Sequence, residues 1–192
     1  MKEMYCTEDK KDCINKKEVN NFIAETSNNI SKRHNSERVA IVLDAETLKT
    51  TTTLEKHGFD SFNILIPNPY IYKKIAKKHL FTYNCTLNTL LNKHIYTKVD
   101  VAFFDYCCTF SGNIEVNPKK DILVYFKKKL PDKNSLFAVT FSKRDSKIKE
   151  PMNKARKYIM KTAKQYGYKS QLIYKKEYAD HGAMFVLVYK IY

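Results

Sequence analysis

The residues best suited to chemistry cluster in "FFDYCCTFSGN", positions 103–113. A hydrophobic run stops at Asp105, a phenol and two adjacent thiols follow, and a loop continues through Ser111 and Gly112. An acid beside a phenol suits proton transfer or hydrogen bonding to a reacting group. The thiols Cys107 and Cys108 suggest nucleophilic, redox or metal chemistry instead. Adjacent cysteines rarely bridge each other, because the geometry is strained. Zinc would need further ligands at fixed spacing, and the five histidines are scattered. No metal is expected. Other candidate polar groups are Asp44 and Glu46 in "VLDAETLKTTTT", Asn68 in "ILIPNPY", Cys85–Thr86, and the basic loop "SKRDSK" at 142–147.

The elements that must position these residues read as a regular alternation. Val19, Phe22, Ile23, Thr26 and Ile30 recur at helical spacing, after a polar segment 1–17 expected to be flexible. "RVAIVLDAE" is a continuous apolar strand of the buried parallel kind. A short helix ends at Gly58, and "FNILIPNP" is a second strand stopped by prolines. A helix with apolar pairs at 71/72, 75/76 and 79/80 leads to a brief strand, "FTYNC". Next come a helix carrying Leu87, Leu90, Leu91 and Ile95, the strand "KVDVAFFDYC", and a helix opened by Pro118. "SLFAVTFS" and a long helix opened by Pro151 and closed at Gly167 complete the alternation. "KSQLIYKKEY" and "AMFVLVYKIY", joined by "ADHG", must form an antiparallel hairpin. One α/β domain over 18–192 is expected, with a mixed seven-stranded sheet and helices on both faces.

The order of elements over residues 19–192 resembles the class I S-adenosylmethionine-dependent methyltransferases, whose Rossmann-like sheet also closes with an antiparallel hairpin. In open α/β sheets ligands bind at the carboxyl ends of the strands, at the switch in strand order. That rule alone selects 44–50, 67–70, 85–86 and 105–110. The resemblance implies S-adenosylmethionine as cofactor. It gives cofactor-binding places to Asp44, Ala45, Glu46 and Thr50 after the first strand. It places Asn68 and Tyr70 after the second strand, and Cys85 and Thr86 after the third. It makes Asp105 and Tyr106 the candidate catalytic pair, orienting a methyl acceptor. The match is imperfect: Glu46 and Leu48 stand where the family has glycines, and Asn68 stands where it has a ribose-binding acid. Asp44, Glu46 and the threonines also suit simple helix capping. Cys108 fits the first cysteine motif of cytosine-C5 RNA methylation by spacing, but Phe141 occupies the place of the attacking cysteine, so direct transfer to nitrogen or oxygen is implied.

The chain carries 35 Lys+Arg against 20 Asp+Glu, a formal charge of +15, with 43% hydrophobic and 13% aromatic residues. The hydrophobic content excludes a disordered chain, and the charge points to nucleic acid. Lysines concentrate on three helices, at 73–78, 119–129 and 154–164. Lys143, Arg144 and Lys147 are the candidate phosphate contacts, being nearest the expected site. The richness in Lys, Asn, Ile and Tyr also matches an AT-rich coding sequence, as in many protists and large DNA viruses, and this inflates the charge without a partner. Five cysteines without framework spacing indicate reduced thiols and an intracellular protein, cytoplasmic or nuclear. No apolar stretch is long enough to span a membrane. The alternative expectation is a non-catalytic methyltransferase-like subunit that binds nucleic acid or a protein partner.

Overall fold

A computed structural model describes residues 12–30, 38–59, 61–66, 68–79, 81–95, 97–179 and 182–192. Most of the segment expected to be flexible, together with Pro67 and the centre of the "ADHG" turn, lies outside the described residues.

The elements in chain order are α1 (Asp12–Ile30), β1 (Val39–Leu43), α2 (Lys49–Lys56), β2 (Ser61–Leu65), α3 (Pro69–Ile75), β3 (Thr82–Tyr83), α4 (Leu87–Lys93), β4 (Val99–Thr109), α5 (Pro118–Lys127), β5 (Pro131–Ser142), α6 (Pro151–Gln165), β6 (Ser170–Ala179) and β7 (Ala183–Ile191). They form one mixed sheet in the order β3-β2-β1-β4-β5-β7-β6. β1 to β5 run parallel, and β7 inserts antiparallel between β5 and β6. The mixed seven-stranded α/β sheet and its closing hairpin are those read from the sequence. Helix α1 differs. It starts at Asp12, ahead of Val19 where the apolar spacing begins, and so brings Lys16 onto the fold.

The chain crosses the sheet by helices, and the strands sort their side chains by alternation. Along β4, Val101 and Phe103 join the core beneath α1, α2 and α3, with Val19, Ile23, Leu54 and Ile75. Ala102, Phe104 and Tyr106 join the opposite core, with Leu90, Ile122, Phe126 and Ile159 from α4, α5 and α6. The second core is aromatic: Phe104 packs edge-on against both Tyr125 and Phe137, with centroids 5.5 and 5.3 Å away. At the amino edge the Asp100 carboxylate accepts the Val39 amide at 2.9 Å and locks β1 to β4. Buried Arg38 donates to the His57 carbonyl at 2.8 Å and lies 4.2 Å over the Phe59 ring, tying β1 to the end of α2.

Helix starts follow local chemistry. The Asn68 side chain caps α3, and Asn117 caps α5 with Pro118 in the first turn. Such caps satisfy amides that have no partner within the helix.

Candidate active site

Strand order reverses between β1 and β4, so the carboxyl ends of these strands face one crevice. Val42 pairs with Phe103, and continuing this parallel register brings Asp44 level with Asp105. Both follow the face of Val42 and Phe103, beneath α1. Two acids at one level on one face form the heart of the candidate site.

Asp44 is 8% exposed, and its carboxylate organises the turn after β1. One oxygen accepts the Thr51 amide and hydroxyl at 2.9 and 3.0 Å, and the other accepts the Ala45 amide at 3.0 Å. Burial pushes its pKa up, against the Thr51 and Ala45 hydrogen bonds and the charge of Lys16. Leu48 takes the left-handed conformation, φ 48 and ψ 39, and Thr52 donates to its carbonyl at 2.8 Å. A left-handed residue is a glycine preference. The turn therefore keeps the backbone shape that glycine serves, with a leucine paying the steric cost and packing its side chain on the α1 face. Glu46 does not enter the crevice: its carboxylate pairs with Lys74 of α3 at 2.5 Å on the surface. Thr50 is buried, its hydroxyl 3.5 Å from the Asn20 side chain of α1.

The other cofactor candidates serve helix ends. The Asn68 side chain accepts the Tyr70 and Ile71 amides at 2.9 and 3.2 Å, while Tyr70 itself stands 83% exposed. Thr86 caps α4 by accepting the Thr89 amide at 3.2 Å. Half-buried Cys85 packs on the α4 core, and burial raises its thiol pKa.

Asp105 sits where β4 and β5 lose register. It pairs with Thr140, the next pairing is Thr109 with Ser142, and the residues between form a bulge. Bulges re-aim side chains beside functional sites. The Thr140 hydroxyl donates to one Asp105 oxygen, and the Lys16 ammonium lies 2.5 Å from the other. Burial works against the Lys16 charge, but Asp105, helped by Asp44, outweighs it and holds the Lys16 pKa above its ordinary value.

Tyr106 and Asp105 lie on opposite faces of the sheet. Alternation turns the Tyr106 ring to the other face, where it is 2% exposed and stacks on Phe141 at 5.2 Å. Its hydroxyl donates to Asp121 at 3.1 Å. Phe141, in the place of a second cysteine, is wholly buried. Burial pushes the Cys108 thiol up to about 11, so it is protonated at neutral pH. Among the described residues no group of three or more His, Cys, Asp or Glu is placed to hold a metal.

The basic loop lies at the same edge. Asp145 accepts the Ser111 amide and hydroxyl at 2.9 and 3.0 Å, joining this loop to the one after β4. Within that second loop Gly112 is obligatory: its φ is +72, and an added Cβ would meet the Val116 carbonyl at 2.3 Å. Lys143 pairs with Glu177 of β6 at 2.5 Å, and the Lys147 amide donates to Asp145 at 3.1 Å. The Arg144 guanidinium lies beside Gly182.

No protein-family model matches the chain, and no curated protein matches it at a significant level. Solved structures match over nearly its whole length. The N-methyltransferase NodS of Bradyrhizobium japonicum superposes with a TM-score of 0.61 at 6% identity, covering 96% of this chain and 98% of that one. A candidate RNA methyltransferase of Pyrococcus horikoshii also gives 0.61, at 12% identity over 92% and 81% of the two chains. The fold is that of the class I S-adenosylmethionine-dependent methyltransferases. P. horikoshii TYW2, in complex with MeSAdo, matches at 0.52 and 13% identity over 88% of this chain and 61% of that one.

Against this fold, Lys16 and Thr140 are the partners of Asp105 in the candidate site that sequence reasoning missed. Lys16 lies in the polar stretch ahead of the apolar spacing that begins at Val19, and Thr140 lies inside an apolar strand, so neither shows in a hydrophobic pattern.

Proposed function

We propose that this protein is an S-adenosylmethionine-dependent methyltransferase acting on nucleic acid by direct transfer to nitrogen or oxygen. The observation that carries the reading is the pair Asp44 and Asp105, level on one face at the switch point of a methyltransferase sheet. S-adenosylmethionine, when bound, supplies the methyl group. The residues fit such a ligand in two respects: the turn at Leu48 keeps a left-handed bend, and the crevice already accommodates a cation, the Lys16 ammonium, between acids. Asp44 holds the turn after β1, and Asp105 accepts a hydrogen bond from the acceptor and aligns it. Lys143, Arg144 and Lys147 meet backbone phosphates at the rim. An RNA methyltransferase candidate among the similar folds supports a nucleic-acid substrate.

A second reading, a non-catalytic subunit, draws support from the engagement of Asp105 by Lys16 and of Asn68 in capping. Calorimetric titration with S-adenosylmethionine and S-adenosylhomocysteine separates the two. The enzyme reading expects binding by both ligands, weakened by Asp44→Ala. Absence of heat at millimolar ligand would leave only the subunit.

A further inference from the structure

Both oxygens of Asp105 are engaged within the protein. One takes the Thr140 hydroxyl and the other the Lys16 ammonium. Each oxygen keeps a further acceptor site, but the side chain is only 13% exposed, so a substrate group gains full access to this carboxylate by displacing one of these partners. Thr140 is fixed in a central strand and is 1% exposed. Lys16 lies on a more weakly held part of α1. Beyond it the helix is anchored by buried Val19, Asn20, Ile23, Ala24 and Ser27, but Lys17 and Glu18 are exposed. Among the described residues, Glu18 is held by surface contacts from β6, the Tyr174 hydroxyl at 3.1 Å and Lys176 at 2.5 Å. Such exposed pairs contribute little.

A largely desolvated ion pair is not an economical way to pin a helix, since an apolar contact of similar volume does as well or better. This pair also falls where the fold binds ligands. We propose that the Lys16 ammonium occupies the seat of the methyl acceptor's amino group, so that the acceptor is an amine nitrogen bearing hydrogen and enters by exchange with Lys16 at Asp105. The inference rests on the methyltransferase reading and narrows it from nitrogen or oxygen to an amine. It makes Lys16 a placeholder, not an acceptor, because the ammonium has no lone pair. The acceptor must enter as a neutral, weakly basic amine, whose lone pair takes the methyl as it leaves the sulfonium and whose N–H proton passes to Asp105 or to water.

Lys16→Ala in the full chain removes the ammonium and three stem carbons and leaves room for n-propylammonium, a close mimic of the missing segment. Thermal unfolding of this variant should shift down by several degrees, and propylammonium should restore it saturably. n-Propanol, lacking charge, and tetramethylammonium, lacking an N–H, should not. Wild type and the double variant Lys16→Ala/Asp105→Asn should be indifferent to all three. Equal rescue by all three additives, or none by the amine, overturns the proposal. If Lys16→Ala does not fold, Lys16→Met fills the space without charge. Hydrogen exchange over 13–18 should then quicken tenfold or more while 20–27 stays protected, and unchanged exchange overturns the proposal. Calorimetry with S-adenosylmethionine on the same proteins keeps the two readings apart. Amine rescue without cofactor binding removes the methyltransferase, and cofactor binding without amine rescue removes only the amine seat.

Discussion

At the scale of single residues, the acids of this protein are divided by their surroundings. Asp44 and Asp105 are held by several hydrogen bonds and a cation, whereas Asp121, on the opposite face, is buried with the Tyr106 hydroxyl donating to it. Burial raises the Asp121 pKa from 3.8 to about 6, against the Tyr106 hydrogen bond and Lys120. The native state therefore keeps this proton to higher pH than the unfolded chain does. Its contribution is full below about pH 4 and is lost as pH rises through 6, on the order of 2–3 kcal/mol in all. Asp121→Asn keeps an acceptor for Tyr106 and abolishes the titration. The variant should be more stable than wild type at pH 7, with the advantage vanishing near pH 4, as read by urea unfolding at both values. Asp44→Ala should act oppositely at neutral pH. Loss of three hydrogen bonds at the start of α2 should cost about 1–2 kcal/mol, measured in the same way.

At the scale of elements, the sequence was a better guide to strands and helices than to what their ends do. The run at β1 and the Pro-led starts of α5 and α6 were legible because periodicity and capping act locally. The bulge after Asp105 was not legible, since register depends on the neighbouring strand, and with it went the partner choice of Asp105. Tyr106 was coupled to Asp105 by adjacency, but strand alternation assigns adjacent residues to opposite faces. The turn after β1 shows the same limit. Leu48 reads as the loss of a glycine, yet its backbone adopts the conformation glycine favours. A leucine in that region costs roughly 1–2 kcal/mol. Leu48→Ala removes packing and keeps the strain, whereas Leu48→Gly removes both. The glycine variant should therefore be the more stable of the two, by about 1 kcal/mol, in the same sense as the ordinary preference for glycine over alanine at a helix N-cap. Denaturant titration of the pair decides it, and a more stable alanine variant would show that the turn is not strained.

At the scale of the whole molecule, the excess of +15 sets a field but not its use. No helix among the described residues is long and apolar enough to cross a membrane, and no group of His, Cys, Asp or Glu among them is placed to hold a metal. What distinguishes specific use from composition is position. Lys143, Arg144 and Lys147 stand at the edge that carries Asp105, on a loop tied by Asp145 to the loop after β4. Among the helix lysines, Lys74 is paired with Glu46 and Lys128 donates to the Leu91 and Asn92 carbonyls, so part of their charge is used within the protein. Lys143 is already paired with Glu177, so its charge is partly spent within the protein. Two consequences follow for binding to a single-stranded or duplex oligonucleotide. Replacing Lys143, Arg144 and Lys147 together by alanine should weaken binding and reduce the slope of log affinity against log salt by roughly two to three for duplex, because each phosphate contact contributes about 0.9. Glu177→Gln should strengthen binding at low salt by freeing Lys143, with the gain fading as salt screens the added charge. Fluorescence anisotropy across a salt series reads both effects. A triple variant with an unchanged slope would assign the charge of this protein to composition, and the acceptor amine would then have to be sought outside nucleic acid.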